Sequence, residues 1–264
     1  MNFIRDKIPG QERVKQILNN FLQSNIIPHA FLYTGNVGVG KDNAAIQFAK
    51  SVISNNNFDE KEKAIRAIGK LQEPYIKIIF PLPRGKNETD SSSPTEKLNQ
   101  DEIELIQEQI EKKSENPFHK ISLPKANSIK INSIRDIKKF VSMNYDESGY
   151  RFILISDSHL MNEEAQNALL KNLEEPPENV IFILTTSMIS KLKDTIISRC
   201  WRINFDPLTE DEIVSVLREY FKIEKITSEE VAPFAMGSVQ SALNMIEINF
   251  HNLKEKTISI LRFS

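Results

Sequence analysis

Apolar residues along this chain switch between two spacings, and the switches mark out its elements. From Gln11 to Asn25, Val14, Ile17, Leu18, Phe21 and Leu22 fall three or four apart, which predicts an amphipathic helix. Pro28 breaks that pattern, and Ala30 to Thr34 is a short apolar run expected to be a buried strand. Asp42 to Ile53 is helical again, with Ala44, Ala45, Phe48, Ala49 and Val52 inward, the small alanines letting the helix lie close against a sheet. Asn55 to Lys63 is polar and reads as surface, and Tyr75 to Phe80 is the next strand, stopped by Pro81 and Pro83.

The following stretch does not look like core. Arg84 to Pro94 carries Gly, Asn, Asp and a serine triplet, the composition of an exposed loop without fixed order. Gln100 to Lys113 is a charged helix with a thin stripe of Ile103, Ile106 and Ile110, so residues 84–125 are expected to be an insertion on the sheet's surface. Order returns at Ser128 to Ile131 and a helix from Ser133 to Ser142. Arg151 to Ser156 is a near-continuous apolar strand of the kind buried on both faces in a parallel sheet. Asn162 caps a helix to Glu174 that Pro176 and Pro177 end, Val180 to Thr185 is a strand, Ser190 to Ser198 a helix, and Trp201 to Phe205 a further strand.

Strands alternating with helices predict a parallel, helix-flanked α/β sheet with its ligand site at the strands' carboxyl ends. Asp206-Pro207 is the expected boundary. Beyond it, capping boxes at Thr209 to Glu212 and Thr227 to Glu230 should open two helices, and a third runs from Ser238 past Asn249, giving a small all-helical domain over 207–264.

Composition narrows the class. At 264 residues, 40% hydrophobic and 27% charged, the chain can build one large domain or two modest ones. A net charge of −2 lacks the basic footprint of an autonomous nucleic-acid binder. Cys200 is the only cysteine, which excludes an internal disulfide and a cysteine-rich zinc site; the four histidines show no metal-ligand spacing. No signal peptide or membrane-length apolar run is present, so a cytoplasmic protein with no membrane partner is expected.

Candidate chemistry centres on Gly35-Asn-Val-Gly-Val-Gly40-Lys41-Asp42, between a strand and a helix. Gly35, Gly38 and Gly40 let the backbone turn and approach a phosphate, the helix start offers N–H groups from Val39 onward, and Lys41 adds a point charge. The phosphate-loop pattern ends in Ser or Thr, whose hydroxyl serves Mg²⁺, and here that position is Asp42. A carboxylate about 4 Å from a phosphate repels it by roughly 4 kcal/mol at an effective dielectric near 20, unless a metal bridges the two. A hydrolysing site also needs an acidic metal-holding residue at a neighbouring strand end, where this chain has Ser156-Asp157. One carboxylate remains, shifted by one position, which on a strand would turn it to the other face. Both departures argue against efficient hydrolysis and leave nucleotide binding open.

Asn162 to Pro177, Val180 to Thr186 and Ser198-Arg199-Cys200, together with His29-Ala-Phe31, the glycine loop and Ser128 to Arg135, resemble the clamp-loader subunits of bacterial DNA polymerase III, of the AAA+ class. The resemblance covers most of the chain except the insertion. It implies an AAA+ α/β domain over 1–206 and a helical lid over 207–264, with the family's C-terminal collar domain expected to be absent from this chain. Within that family γ/τ subunits hydrolyse ATP and the δ′ subunit is a stator with degenerate nucleotide motifs. Asp42, Ser156 and Gln240, the last where γ/τ carry a phosphate-sensing arginine, point to δ′. Arg199 of Ser-Arg-Cys is then the catalytic residue, projecting toward ATP held by a neighbour, where a trans-acting arginine can be worth roughly 10³–10⁵ in rate.

Thr185 falls where the family's phosphate sensor sits, and Cys200 reads as a packed small residue. The resemblance implies a part in the DNA polymerase III holoenzyme, with γ/τ and δ subunits as partners and the sliding clamp and primed DNA reached through the assembly. It also implies ATP bound weakly or not at all, Mg²⁺ only with nucleotide, no zinc, and a monomer when isolated. Two alternatives stay open: a γ/τ-like ATPase that uses Asp42 as a metal ligand, and a nucleotide-binding module that does not hydrolyse.

Overall fold

The computed structural model describes residues 8–24, 26–55, 60–142 and 149–248. Five strands, β1 (Ala30–Thr34), β2 (Ile76–Ile79), β3 (Arg151–Ile155), β4 (Val180–Thr186) and β5 (Trp201–Asn204), form one sheet in the order β2-β3-β4-β1-β5. Every pair is parallel, with Tyr33 opposite both Thr185 and Ile203. Every position of β1 and β4 is buried, which explains why those runs are almost wholly apolar. Alternate side chains serve two cores. Phe31 and Tyr33 face α1 (Glu12–Ser24), α2 (Lys41–Asn55) and α3 (Lys61–Gly69). Ala30, Leu32, Phe182 and Leu184 face the opposite way, toward α5 (Ile131–Ser142), α6 (Glu163–Glu174) and α7 (Asp194–Ile197). Between β2 and α5 runs α4 (Gln100–Glu115), opened by a capping box between Asn99 and Glu102.

After Pro207 the helices α8 (Glu210–Phe221), α9 (Lys225–Val231) and α10 (Val239–Glu247) enclose an apolar cluster of their own, with Ile213, Leu217, Val231 and Val239 at its centre. The expected capping box at Thr209 and the Asn162 cap are both present.

Several elements differ from the sequence expectation. The polar stretch after Asn55 runs into α3, whose inward face consists of little more than Ala64 and Ile68. Thr227 to Glu230 caps nothing: α9 starts at Lys225, because left-handed Lys222 turns the chain straight out of α8, and Ser228 donates back to the Glu224 carbonyl at 2.9 Å. The helix expected over Ser190 to Ser198 splits at extended, buried Leu192 into a 3-10 turn and α7. The loop over Arg84 to Pro94 is held in place. Glu88, whose side chain is 4% exposed, pairs with Lys130 at 2.8 Å and accepts from Asn132 and the Gly85 amide, and Lys130 also binds the carbonyls of Pro83 and Pro94. The helix end at Asn25, part of the 55–63 stretch and the helix continuing past Asn249 lie outside the described residues.

Candidate functional site

The glycine loop leaves β1 at the carboxyl edge of the sheet and runs into α2. Gly35, Gly38 and Gly40 have φ of 144°, 76° and 89°, and each is crowded where a side chain would start. A Cβ on Gly38 would lie 2.6 Å from the Gln240 amide nitrogen, and one on Gly40 would lie 3.2 Å from the Phe118 ring. The loop is thus covered from two sides, by the start of α10 and by the segment after α4. The Val239 amide donates to the Gly38 carbonyl at 3.2 Å, and Val39 is buried beneath the loop. Gln11, in left-handed backbone, ties the loop to the β5 exit. Its amide group donates to the carbonyls of Val39 (3.4 Å) and Asp206 (2.7 Å) and accepts from the Asp206 amide (3.1 Å).

Lys41 is folded back onto its own loop. Its ammonium donates to the carbonyls of Gly35 (2.8 Å) and Asn36 (2.6 Å). Burial lowers its pKa to about 8, with Asp42 and Asp157 partly offsetting the loss of water.

Asp42 is the centre of the site. Its Oδ1 accepts from the Thr185 hydroxyl at 2.9 Å, and its Oδ2 accepts from the Ser156 hydroxyl at 3.0 Å and from the Lys113 ammonium at 2.8 Å. The two positions where the sequence departs from a metal site are therefore bonded to each other. Burial acts to raise the Asp42 carboxyl, but the Lys113 charge and the bonds from Lys113, Thr185 and Ser156 outweigh it and hold the group below the usual carboxylate range. Lys113 spends its other donors on the carbonyls of Pro117 (3.0 Å) and His119 (2.9 Å). Its side chain is only 5% exposed, against 20% for Asp42.

Asp157 does not turn away as strand alternation would require. It lies past the end of β3 in left-handed backbone (φ 50°), where its amide donates to the Thr185 hydroxyl at 3.3 Å and its carboxylate stands 3.7 Å from Lys120. Gln240 lines the same cavity but donates to Asn244 on its own helix. Beside the site, His159 contacts the Thr186 hydroxyl at 3.2 Å, and burial lowers its pKa. Lys113, Phe118, His119 and Lys120 depart from the sequence expectation, which puts residues 84–125 on the sheet's surface. One signal in the sequence points to the first of them. Lys113 follows Ile103, Ile106 and Ile110 at helical spacing and so continues the inward stripe of α4.

Arg199 stands at the other end of the sheet. It lies two residues before β5 begins, so the length of β1 and β5, roughly 17 Å at about 3.3 Å per residue, separates it from the glycine loop. Its guanidinium bonds the Thr195 carbonyl at 3.0 Å and Glu174 at 2.9 Å, with side chains 35% and 51% exposed. Glu174 is the last residue of α6, just before Glu175-Pro176-Pro177, so the end of that helix holds Arg199 in place. Cys200 packs against the second core, and burial pushes its thiol up to about 12, which leaves it protonated and unreactive at neutral pH.

A Mg²⁺-nucleotide fits only half of this arrangement. The glycines and Lys41 can still face a phosphate. The metal side is filled: an ammonium already neutralises Asp42, and the cavity over the loop is about 80 Å³, well below the 300–1,000 Å³ typical of ligand pockets. Among the described residues no three His, Cys, Asp or Glu side chains cluster as a metal site, and no helix is long and apolar enough to cross a membrane.

Strand order, glycine loop and helical cap together define an AAA+ P-loop protein. The fold of the Thermotoga maritima RuvB Holliday junction branch migration motor is similar, with a TM-score of 0.51 at 14% identity over 93% of this chain and 64% of that one. A variant of that motor gives 0.53 at 15% identity, covering 93% and 65%.

The model of the family described as "DNA polymerase III, delta subunit" matches residues 10–209, and the chain belongs to that clamp-loader family. It is 28% identical to DNA polymerase III subunit tau of Bacillus subtilis over 92% of this chain and 37% of the relative. It is also 28% identical to subunit gamma of Buchnera aphidicola (95% and 60%) and 29% identical to subunit tau of Escherichia coli (91% and 32%). The chain thus spans between about a third and three fifths of the length of these relatives.

Proposed function

We propose that this chain is a δ′-like stator of the DNA polymerase III clamp loader, dividing near Asp206 into an AAA+ domain and a helical lid. It assembles with γ/τ and δ subunits, acts in the cytoplasm, and reaches the sliding clamp and primed DNA only through that assembly. The observation that carries the proposal is the state of Asp42, neutralised from within by Lys113 and bonded to Ser156 and Thr185. A chain that fills its own metal position is poorly suited to hydrolyse ATP. Arg199 is half-exposed, lightly held and remote from its own glycine loop, as a residue serving a neighbour's phosphate should be. Such an arginine stabilises charge on the transferring phosphoryl group.

Reconstitution of the full-length protein with its γ/τ- and δ-type partners tests this. Arg199→Ala should lower turnover at the neighbour's ATP site that it faces by roughly 10³-fold, and the assembly's ATPase by that site's share. Unchanged turnover would remove the mechanism.

A second role, holding nucleotide without cleaving it, is favoured by the positive-φ glycines and buried Lys41, and calorimetry with ATP measures it directly. The γ/τ-like ATPase alternative is supported by the names of the matched relatives. It requires that the purified chain turn over ATP in a way that Lys41→Ala abolishes.

A further inference from the structure

The segment from Lys113 to Lys120 does more than border the glycine loop. Lys113 supplies the positive charge at Asp42, Phe118 lies over Gly40, and His119 and Lys120 line the cavity beside Ser156 and Asp157. The same segment also reaches the lid. Phe118 and Tyr220 pack with ring centroids 5.0 Å apart, and the Asn116 side chain donates to the Tyr220 carbonyl at 3.2 Å. Behind it, α4 is anchored to the sheet's edge through Ile106, Ile110, Phe80 and Leu98. One stretch of chain therefore joins sheet, loop and lid, the three parts that a nucleotide bound at such a loop would join.

Lys113 is suited to a fixed post rather than a passing contact. It sits in the last turn of α4, where the helix's carbonyl end favours a cation. Its three donors are each used, on Asp42 and two carbonyls. A divalent ion placed at Asp42 would meet that ammonium within a few ångströms and would have to displace it from a buried position.

We infer that the insertion is a cis-acting occupant of the nucleotide site, and that Lys113 takes the place of the divalent cation at Asp42 and so excludes metal-bound nucleotide. This deepens the stator proposal and rests on it only in taking the chain's own site as non-hydrolysing; Arg199 plays no part in it. Lys113 is then a specificity-determining residue that leaves the loop half of the site open to a metal-free phosphate at most.

The test uses the full chain without partners. On the wild type, ATP binding is measured by calorimetry with and without Mg²⁺, and Mn²⁺ binding by electron paramagnetic resonance. Mg²⁺ should leave the ATP affinity unchanged within about twofold, and no saturable Mn²⁺ site should be seen. Lys113→Met keeps the side chain's length without its charge and should create a Mn²⁺ site that disappears in the Asp42→Asn, Lys113→Met double variant. Mg²⁺ should then tighten ATP on Lys113→Met by about tenfold, because the freed Asp42 carboxylate can take a metal ion in place of the ammonium.

A wild type whose ATP affinity rises tenfold or more with Mg²⁺ would overturn the inference. That arm decides the matter even if Lys113→Met does not fold. A folded Lys113→Met that remains indifferent to metal would overturn it as well. Neither result bears on Arg199→Ala in the assembly, so failure here and failure of the stator proposal can be told apart.

Discussion

The two ends of the sheet treat their charged residues in opposite ways. At the carboxyl edge, Lys41 and Lys113 are buried and Asp42 is half-buried between them, and the bonds of Lys41 and Lys113 run to loop carbonyls and to Asp42. At the amino edge, Arg199 is half-exposed and held by one carbonyl and one exposed glutamate. A buried ion pair is costly to break and slow to offer itself to a ligand, whereas an exposed pair contributes little and releases its arginine readily. The loop end thus holds its shape, and the Arg199 end leaves its guanidinium accessible to solvent.

The comparison sharpens first at Lys113. Lys113→Ala leaves the half-buried Asp42 carboxylate without its counter-charge and should cost on the order of 3 kcal/mol in a denaturant titration. A loss below about 0.5 kcal/mol would mean that the pair is no more structural than one at the surface.

The next effect is in pH. The folded-state pKa of Lys41, about 8, lies below its unfolded value of about 10.4. Between those values the unfolded chain keeps a proton that the folded chain has released, so Lys41's contribution to stability rises with pH there. Relative to Lys41→Met, the wild type should gain about 2 kcal/mol between pH 8 and 10. Added phosphate should flatten that gain if the cradle accepts an anion. A flat difference without phosphate would show that Lys41 is not strained by burial.

The smallest effect belongs to the other end. Glu174→Ala removes a half-exposed partner and should change stability by only about 0.5 kcal/mol, while loosening Arg199 enough to lower the assembly's ATPase about threefold. A large loss of stability would instead make the Glu174–Arg199 pair part of the frame.

Much of this frame could be read from the residues. Continuous apolar runs such as Phe152 to Ile155 and Val180 to Leu184 announce strands buried on both faces, and Asn162 and Thr209 announce helix starts through local bonds that tertiary context leaves alone. The glycine loop carried its geometry in its spacing. What stayed hidden depended on contacts distant in sequence. Lys113 looks like any lysine on a charged helix until α4 is laid across the sheet's edge, 71 positions along the chain from its partner Asp42. Asp157 was misplaced because the strand ends at Ile155 and alternation stops with it. Glu88 sits in a loop of polar composition and is nonetheless buried, because Lys130 waits 42 positions later.

Under the stator proposal, hydrolysis in the assembly depends on the Arg199 end and not on this chain's glycine loop. The most direct measurement places Arg199→Ala and Lys41→Ala, each in this chain alone, into otherwise wild-type reconstituted clamp loader and compares ATP turnover. The prediction is that Arg199→Ala removes the turnover of the neighbouring site, roughly 10³-fold at that site, and that Lys41→Ala leaves the total within about twofold of wild type. Turnover that survives Arg199→Ala and falls with Lys41→Ala would contradict the account, because the working site would then be this chain's own glycine loop.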